Sequence, residues 1–137
     1  MADNKYSGNC ACGGIKFEIK TARANVVNCH CTDCRGLTGA AFTTYFVVSA
    51  KRFALTQGED LLKSYTPKDQ VARHFCGTCG TPIFNTNAQY PGLRMVYYGT
   101  IAFDEAPVPG TNIFCRSKLP WVEVDEDAAN YEAEINP

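Results

Sequence analysis

A chain of 137 residues, 45% hydrophobic and 20% charged, is long enough to bury one core and too apolar to be disordered. Its formal net charge of -1 offers nucleic acid no general attraction, because neutralising phosphates takes clustered Lys and Arg. No apolar run of about 18 residues is present and the polar opening MADNKYSGN leads into no apolar segment, so neither a membrane span nor a signal peptide is expected.

The chain carries eight cysteines. With no sign of export, they are expected in a reducing compartment, the cytosol, where closely spaced cysteines are metal ligands more often than disulfides.

In chain order, the first strong element is IKFEIK (15–20), whose apolar and charged residues alternate with the period of a half-buried strand. Next, CTDCRGLTG (31–39) predicts a short helical turn with Thr32 as N-cap. Strands are then predicted over AFTTYFVVS (41–49), RFALT (52–56), LKSY (62–65), VARHFC (71–76), TPIFN (81–85), RMVYYGT (94–100) and NIFC (112–115). All are short, rich in β-branched and aromatic residues, and separated by Gly, Pro, Asn or Asp. The acidic end, VDEDAANYEAEINP, reads as a surface tail with one helical turn. These elements predict one mainly β domain over 1–137, with little helix.

Two cysteine motifs complement each other. In Cys76-Gly77-Thr78-Cys79-Gly80 the C-x-x-C spacing lets both sulfurs meet one ion across a tight turn, with Gly77 and Gly80 supplying permissive backbone. In NCACGG (9–14), Cys10 and Cys12 project to the same face of an extended chain. Together the four thiolates make a closed, structural zinc site that staples the start of the chain to a distant hairpin. A redox C-x-x-C pair or unliganded buried cysteines are the alternatives, but no thioredoxin-like context surrounds the motif.

A second group lies in NCHCTDC, where Cys29, Cys31 and Cys34 can wrap three thiolates around one face of an ion. The remaining cysteine, Cys115, either closes a second structural site or is a small buried hydrophobe on the strand NIFC, on the face of Ile113. Spacing alone leaves both readings standing. His30, between two of these cysteines, should point away from the metal, and His74 sits in a strand; both read as structural or surface residues.

The ordered stretches GNCACGGIKFEI, NCHCTDCRGLTGAAF, RHFCGTCGTPIF, YYGT and NIFCRSKLPW resemble the glutathione-dependent formaldehyde-activating (GFA) family, which includes centromere-protein-V-like proteins. The resemblance covers residues 8 to 121 and leaves the acidic tail, 122–137, outside it. It implies a zinc-stapled β-tent of short antiparallel strands. It also implies two zinc ions per chain: a structural one on Cys10, Cys12, Cys76 and Cys79, and an open, catalytic one on Cys29, Cys31 and Cys34. Cys115 then lies off the metal. Asn112 stands where many relatives are expected to carry histidine, which points to a different substrate.

Three thiolates leave a zinc dication with a net negative charge, a weak Lewis acid toward water but a good acceptor for a soft thiol. The chemistry implied is that of a carbon–sulfur lyase: glutathione, as co-substrate, adds to formaldehyde to give S-hydroxymethylglutathione. Arg35 and Lys118 are candidates for the carboxylates of glutathione, and Thr38, Phe42 and Trp121 are either cleft-lining or core. Two rival readings remain. One is another glutathione-conjugate reaction, cleavage or dehalogenation, in specialised metabolism; the other is a zinc module, without catalysis, that binds a protein partner. No nucleic-acid or membrane partner is expected, and oligomeric state is not legible.

Overall fold

The computed structural model describes residues 3–67 and 70–135; the first two residues of the polar opening and the last two of the acidic tail lie outside it. Among the described residues, twelve strands and one α-helix follow in order. They are β1 (Asn4–Asn9), β2 (Lys16–Thr21), β3 (Val26–Cys29), α1 (Thr32–Thr38), β4 (Thr43–Ser49), β5 (Phe53–Gln57) and β6 (Leu62–Tyr65), then β7 (Val71–Cys76), β8 (Pro82–Asn87), β9 (Tyr90–Tyr97), β10 (Ile101–Ala102), β11 (Thr111–Ile113) and β12 (Ala129–Asn130). The protein is mainly β, as its alternating segments predict. No helix among the described residues is long and apolar enough to cross a membrane.

The chain divides into two compact units, one of residues 1–24 and 46–106, the other of 25–45 and 107–137; β4 begins in the second and ends in the first. In the first unit, β10, β1, β2 and β5 form an antiparallel sheet in that order, while β6 to β9 run as an antiparallel meander. Alternation decides which side chains go inside: on β2, Phe17 and Ile19 are buried while Lys16 and Lys20 face water. Ile15, Phe17, Ile19, Phe46, Ile83 and Val96 are at most 1% exposed, each contributing about 1.5–3 kcal/mol of apolar burial. Phe53 links the strands of this core, its ring centroid 5.3 Å from that of Phe17 and 5.0 Å from that of Phe84.

The second unit departs from the expected antiparallel pattern. β11 pairs in parallel with both β3 and β12, because each joins it through a long connection rather than a hairpin. The predicted strand 112–115 also stops early. Phe114 takes a left-handed φ of 56°, which turns the chain out of the ladder and places Cys115 in a 3-10 turn.

Two further differences concern polar segments. β1 carries no apolar alternation and is mostly exposed; pairing with β2 and β10 makes it a strand. The acidic end contains β12 where a helical turn was expected. Its backbone runs along 110–116, with Tyr131 N–H donating to Asn112 O (2.9 Å), Cys115 N–H to Tyr131 O (3.0 Å) and Phe114 N–H to Ala133 O (2.9 Å).

Candidate metal centres

In the first unit, two turns bring Cys10, Cys12, Cys76 and Cys79 together, all four sulfurs within 4.8 Å of one another. The Cys10–Gly13 segment is a turn, not the extended chain expected, closed by Gly13 N–H to Cys10 O (3.0 Å). Its geometry aims the Ile15 N–H at the Cys10 sulfur, 3.2 Å away. The Cys76–Gly80 knuckle closes through Gly80 N–H to Cys76 O (2.8 Å), and Gly80 there has φ +78°, a conformation that favours glycine. Gly77 serves differently, since a Cβ on it would press on the Lys63 side chain and the Leu61 carbonyl.

In the second unit, Cys29, Cys31 and Cys34 also converge within 4.8 Å, and Cys115 is not among them. β3 ends on Cys29 and α1 begins after Cys31, so the strand-to-helix turn gathers all three sulfurs. The N-cap is Cys31 and not Thr32: its sulfur accepts the Cys34 N–H at 3.2 Å, the place a capping oxygen usually takes. Cys29 and Cys34 are buried, while Cys31 is half-buried and so the nearest of the three to solvent.

Both donor sets fit zinc. Two thiolates on a tetrahedral zinc, each at about 2.3 Å, stand about 3.8 Å apart. Here Cys12 and Cys76 are 3.8 Å apart, Cys10 and Cys12 3.5 Å, and Cys29 and Cys34 3.4 Å. Four sulfurs complete a tetrahedron; three leave one position.

The electrostatics of the two groups differ. Cys79 is already favoured as thiolate, lowered to about 5 by the Thr81 hydroxyl 3.2 Å from its sulfur and by the backbone N–H groups of Thr81 and Cys12. Its neighbour Cys12 has the Gly14 N–H favouring its thiolate, yet the adjoining Cys10 and Cys79 sulfurs raise it to about 11. In the three-cysteine group the hydrogen bond with Cys29 favours the Cys34 thiolate, but Cys31 and burial outweigh it and push Cys34 up to about 11. Cys29 is raised further, by its hydrogen bonds to Cys31 and Cys34 and by burial. Crowded thiols of this kind resist ionisation until a cation neutralises them.

The remaining candidates are scattered. Arg35 is half-buried on α1, and Lys118 donates from Nζ to Val122 O at 2.8 Å. Thr38 caps its own helix, donating to Cys34 O at 2.8 Å. Trp121 is 71% exposed, so it belongs to no core, and it does not line the cleft formed within the second unit. That cleft, of about 160 Å³, is lined by Asn28, His30, Phe42 and Asn112 with Val122 and acidic Asp125 among others. His30 is not a surface residue: it is 1% exposed, with Nε2 3.1 Å from Asn112 Oδ1. Asn112 Nδ2 in turn donates to Asn130 Oδ1 at 2.9 Å. His74 is half-buried against the Phe84 ring, its pKa lowered by burial and by the positive charge of Arg94.

Sequence reasoning passed over two residues at these centres. Thr81, beside Cys79, could have been read from the C-x-x-C-G-T spacing. Tyr45, whose hydroxyl lies 3.3 Å from the Cys34 sulfur, gave no signal beyond its alternation in TTYF.

The family profile described as glutathione-dependent formaldehyde-activating enzyme matches residues 5–117. A Halomonas elongata protein, provisionally named a glutathione-dependent formaldehyde-activating enzyme, is 24% identical over 129 residues, covering 86% of this chain and 80% of that protein. The crystal structure of a Rhodobacter sphaeroides protein superposes with a TM-score of 0.59 over 91% of this chain and 98% of its own, at 19% identity, which shows a shared fold. The family profile spans both cysteine groups, and the chain belongs to the glutathione-dependent formaldehyde-activating (GFA) family.

Proposed function

We propose that the protein works on glutathione adducts at a zinc held by Cys29, Cys31 and Cys34, while Cys10, Cys12, Cys76 and Cys79 hold a structural zinc. The observation that carries this reading is the sulfur count: the second group brings together three thiols, one fewer than a closed tetrahedral site takes. Family membership and the name of the Halomonas relative support glutathione and formaldehyde as reactants. In the reaction the thiol adds across the aldehyde: a carbon–sulfur bond forms, the carbonyl π bond breaks, and the thiol proton ends on oxygen as S-hydroxymethylglutathione. The reverse direction makes the protein a carbon–sulfur lyase.

A zinc ion at this group would supply a soft acceptor that favours the thiolate form of glutathione at neutral pH. The chain's own residues do the positioning. Cys31 marks the solvent side from which a sulfur reaches the group. Arg35, one residue beyond Cys34, is suited to a glutathione carboxylate. Lys118 is the weaker candidate, because its ammonium already holds the Val122 carbonyl.

The test is exchange NMR of glutathione with formaldehyde, using zinc-loaded wild type and Cys31→Ser. Wild type should accelerate interconversion of free and hydroxymethylated glutathione, and Cys31→Ser should not. A wild type that binds two zinc ions per chain and leaves the exchange at its uncatalysed rate would remove this activity from the protein.

A further inference from the structure

We propose that Tyr45 is a positioning residue of the three-cysteine centre: its hydroxyl donates a hydrogen bond to the Cys34 sulfur and so tunes that centre to accept a thiol. The inference rests on the thiol-binding reading above and adds a residue to it. Tyr45 stands on β4 and is 5% exposed, with its hydroxyl oxygen 3.3 Å from Cys34 Sγ. A thiolate has no proton to give, so once Cys34 ligates a metal the phenol must be the donor of this pair. The Cys31 sulfur is served in the same way by the Cys34 N–H at 3.2 Å. The Cys29 sulfur has the Cys31 backbone N–H, so each of the three sulfurs has a donor from the protein, and at Cys34 that donor is a side chain.

The consequence is electrostatic. Three thiolates give the metal more negative charge than it brings, and a fourth, incoming thiolate adds to the excess. A hydrogen bond to sulfur draws density away from the metal and lessens that repulsion, in the manner of outer-shell partners at other metal sites. Burial strengthens the effect, since the donor works in a medium of low dielectric. Tyr45 thus acts on the substrate through Cys34 and not by touching it.

Cobalt-loaded protein reads this directly through its sulfur-to-metal charge-transfer bands and through a glutathione titration of its visible spectrum. Tyr45→Phe removes only the hydroxyl. It should shift the charge-transfer bands of the second centre to lower energy and weaken glutathione binding about tenfold, as expected for loss of one hydrogen bond to a charged group. Placing 3-fluorotyrosine at position 45 keeps the fold and makes the hydroxyl a stronger donor, so both readouts should move the opposite way. Unchanged bands and affinity in both variants, with two cobalt ions bound per chain, would overturn the role of Tyr45 and leave the thiol-binding reading intact. A wild type whose second centre binds cobalt without any spectral response to glutathione overturns that reading, and the inference built on it.

Discussion

Cys12 and Cys76 lie 64 residues apart in the chain and hold their sulfurs 3.8 Å from each other. A metal on this pair and its neighbours would close a long loop between β1 and the β7–β8 turn, so its binding energy would add to folding energy. Cys76→Ser removes a thiol that is 0% exposed and leaves three thiols facing each other. The expected result is loss of one zinc per chain and a fall in thermal midpoint of at least about 10 °C, corresponding to about 3 kcal/mol. Zinc quantification and calorimetry on the purified variant check both parts. Cys31→Ser should also lose one zinc, with a much smaller change in midpoint.

The raised thiols of the second centre give stability a pH dependence whose sign depends on metal. In metal-free protein Cys34 is raised to about 11, above the unfolded thiol value of about 8.5. A raised pKa means that folding favours the protonated form. Its contribution is complete below pH 8.5 and is lost as pH climbs toward 11. With metal bound the thiolate is the ligand, protons compete with the metal, and stability is lost on acidification instead. The check is a double difference, wild type minus Cys34→Ser, in chemical denaturation from pH 6 to 10.5. The gap should narrow with rising pH in chelator and widen with rising pH in zinc.

How far the sequence reached follows from the range of each interaction. Cys29, Cys31 and Cys34 could be grouped by spacing because one strand-to-helix turn must place them together. Cys10 and Cys76 could be grouped because each incomplete motif needed a partner. Alternation found β2, whose one face is buried, while β-branched and aromatic richness marked β4. It failed on β1 and β12, which are held by backbone pairing and leave no pattern in side chains. Threonine's usual preference points to Thr32 as N-cap; the sulfur of Cys31 holds the place instead, a role that cysteine rarely signals. The Tyr45–Cys34 contact and the His30–Asn112 pair depend on tertiary register, across 11 and 82 positions, and no local rule encodes them.

Asn112 has a structural duty that its place in the sequence does not suggest. It is 3% exposed and bridges the buried His30 ring to the exposed Asn130, so its amide serves one partner inside and one at the surface. Asn112→Ala would leave the buried His30 Nε2–H without its acceptor. A destabilisation of about 2–3 kcal/mol is expected, the cost of leaving a buried donor unpaired. Zinc content should stay at two per chain, because neither cysteine group uses Asn112. Urea denaturation with parallel metal analysis measures both, and a loss of less than about 0.5 kcal/mol would show the bridge to be dispensable.

The acidic segment makes the last prediction, because its docking contradicts its composition. A solvated tail could be removed without effect. Here Ala129 N–H donates to Gly110 O (3.0 Å) and Tyr131 N–H to Asn112 O (2.9 Å), and the carbonyls of Tyr131 and Ala133 accept the N–H groups of Cys115 and Phe114. Ending the chain after Val124 deletes these four bonds and the Asn130 partner of Asn112 together. At about 1 kcal/mol net for each bond, the second unit should lose about 3–5 kcal/mol. Hydrogen exchange with mass spectrometry should show the amides of Phe114 and Cys115 exposed outright. The amide of His30, which donates to Ile113 O at 3.0 Å, should exchange faster as β11 loosens from β3. Protection in the β6–β9 meander should be unchanged. If all these amides keep their protection, the segment is a passenger on the surface and β12 contributes nothing to the fold.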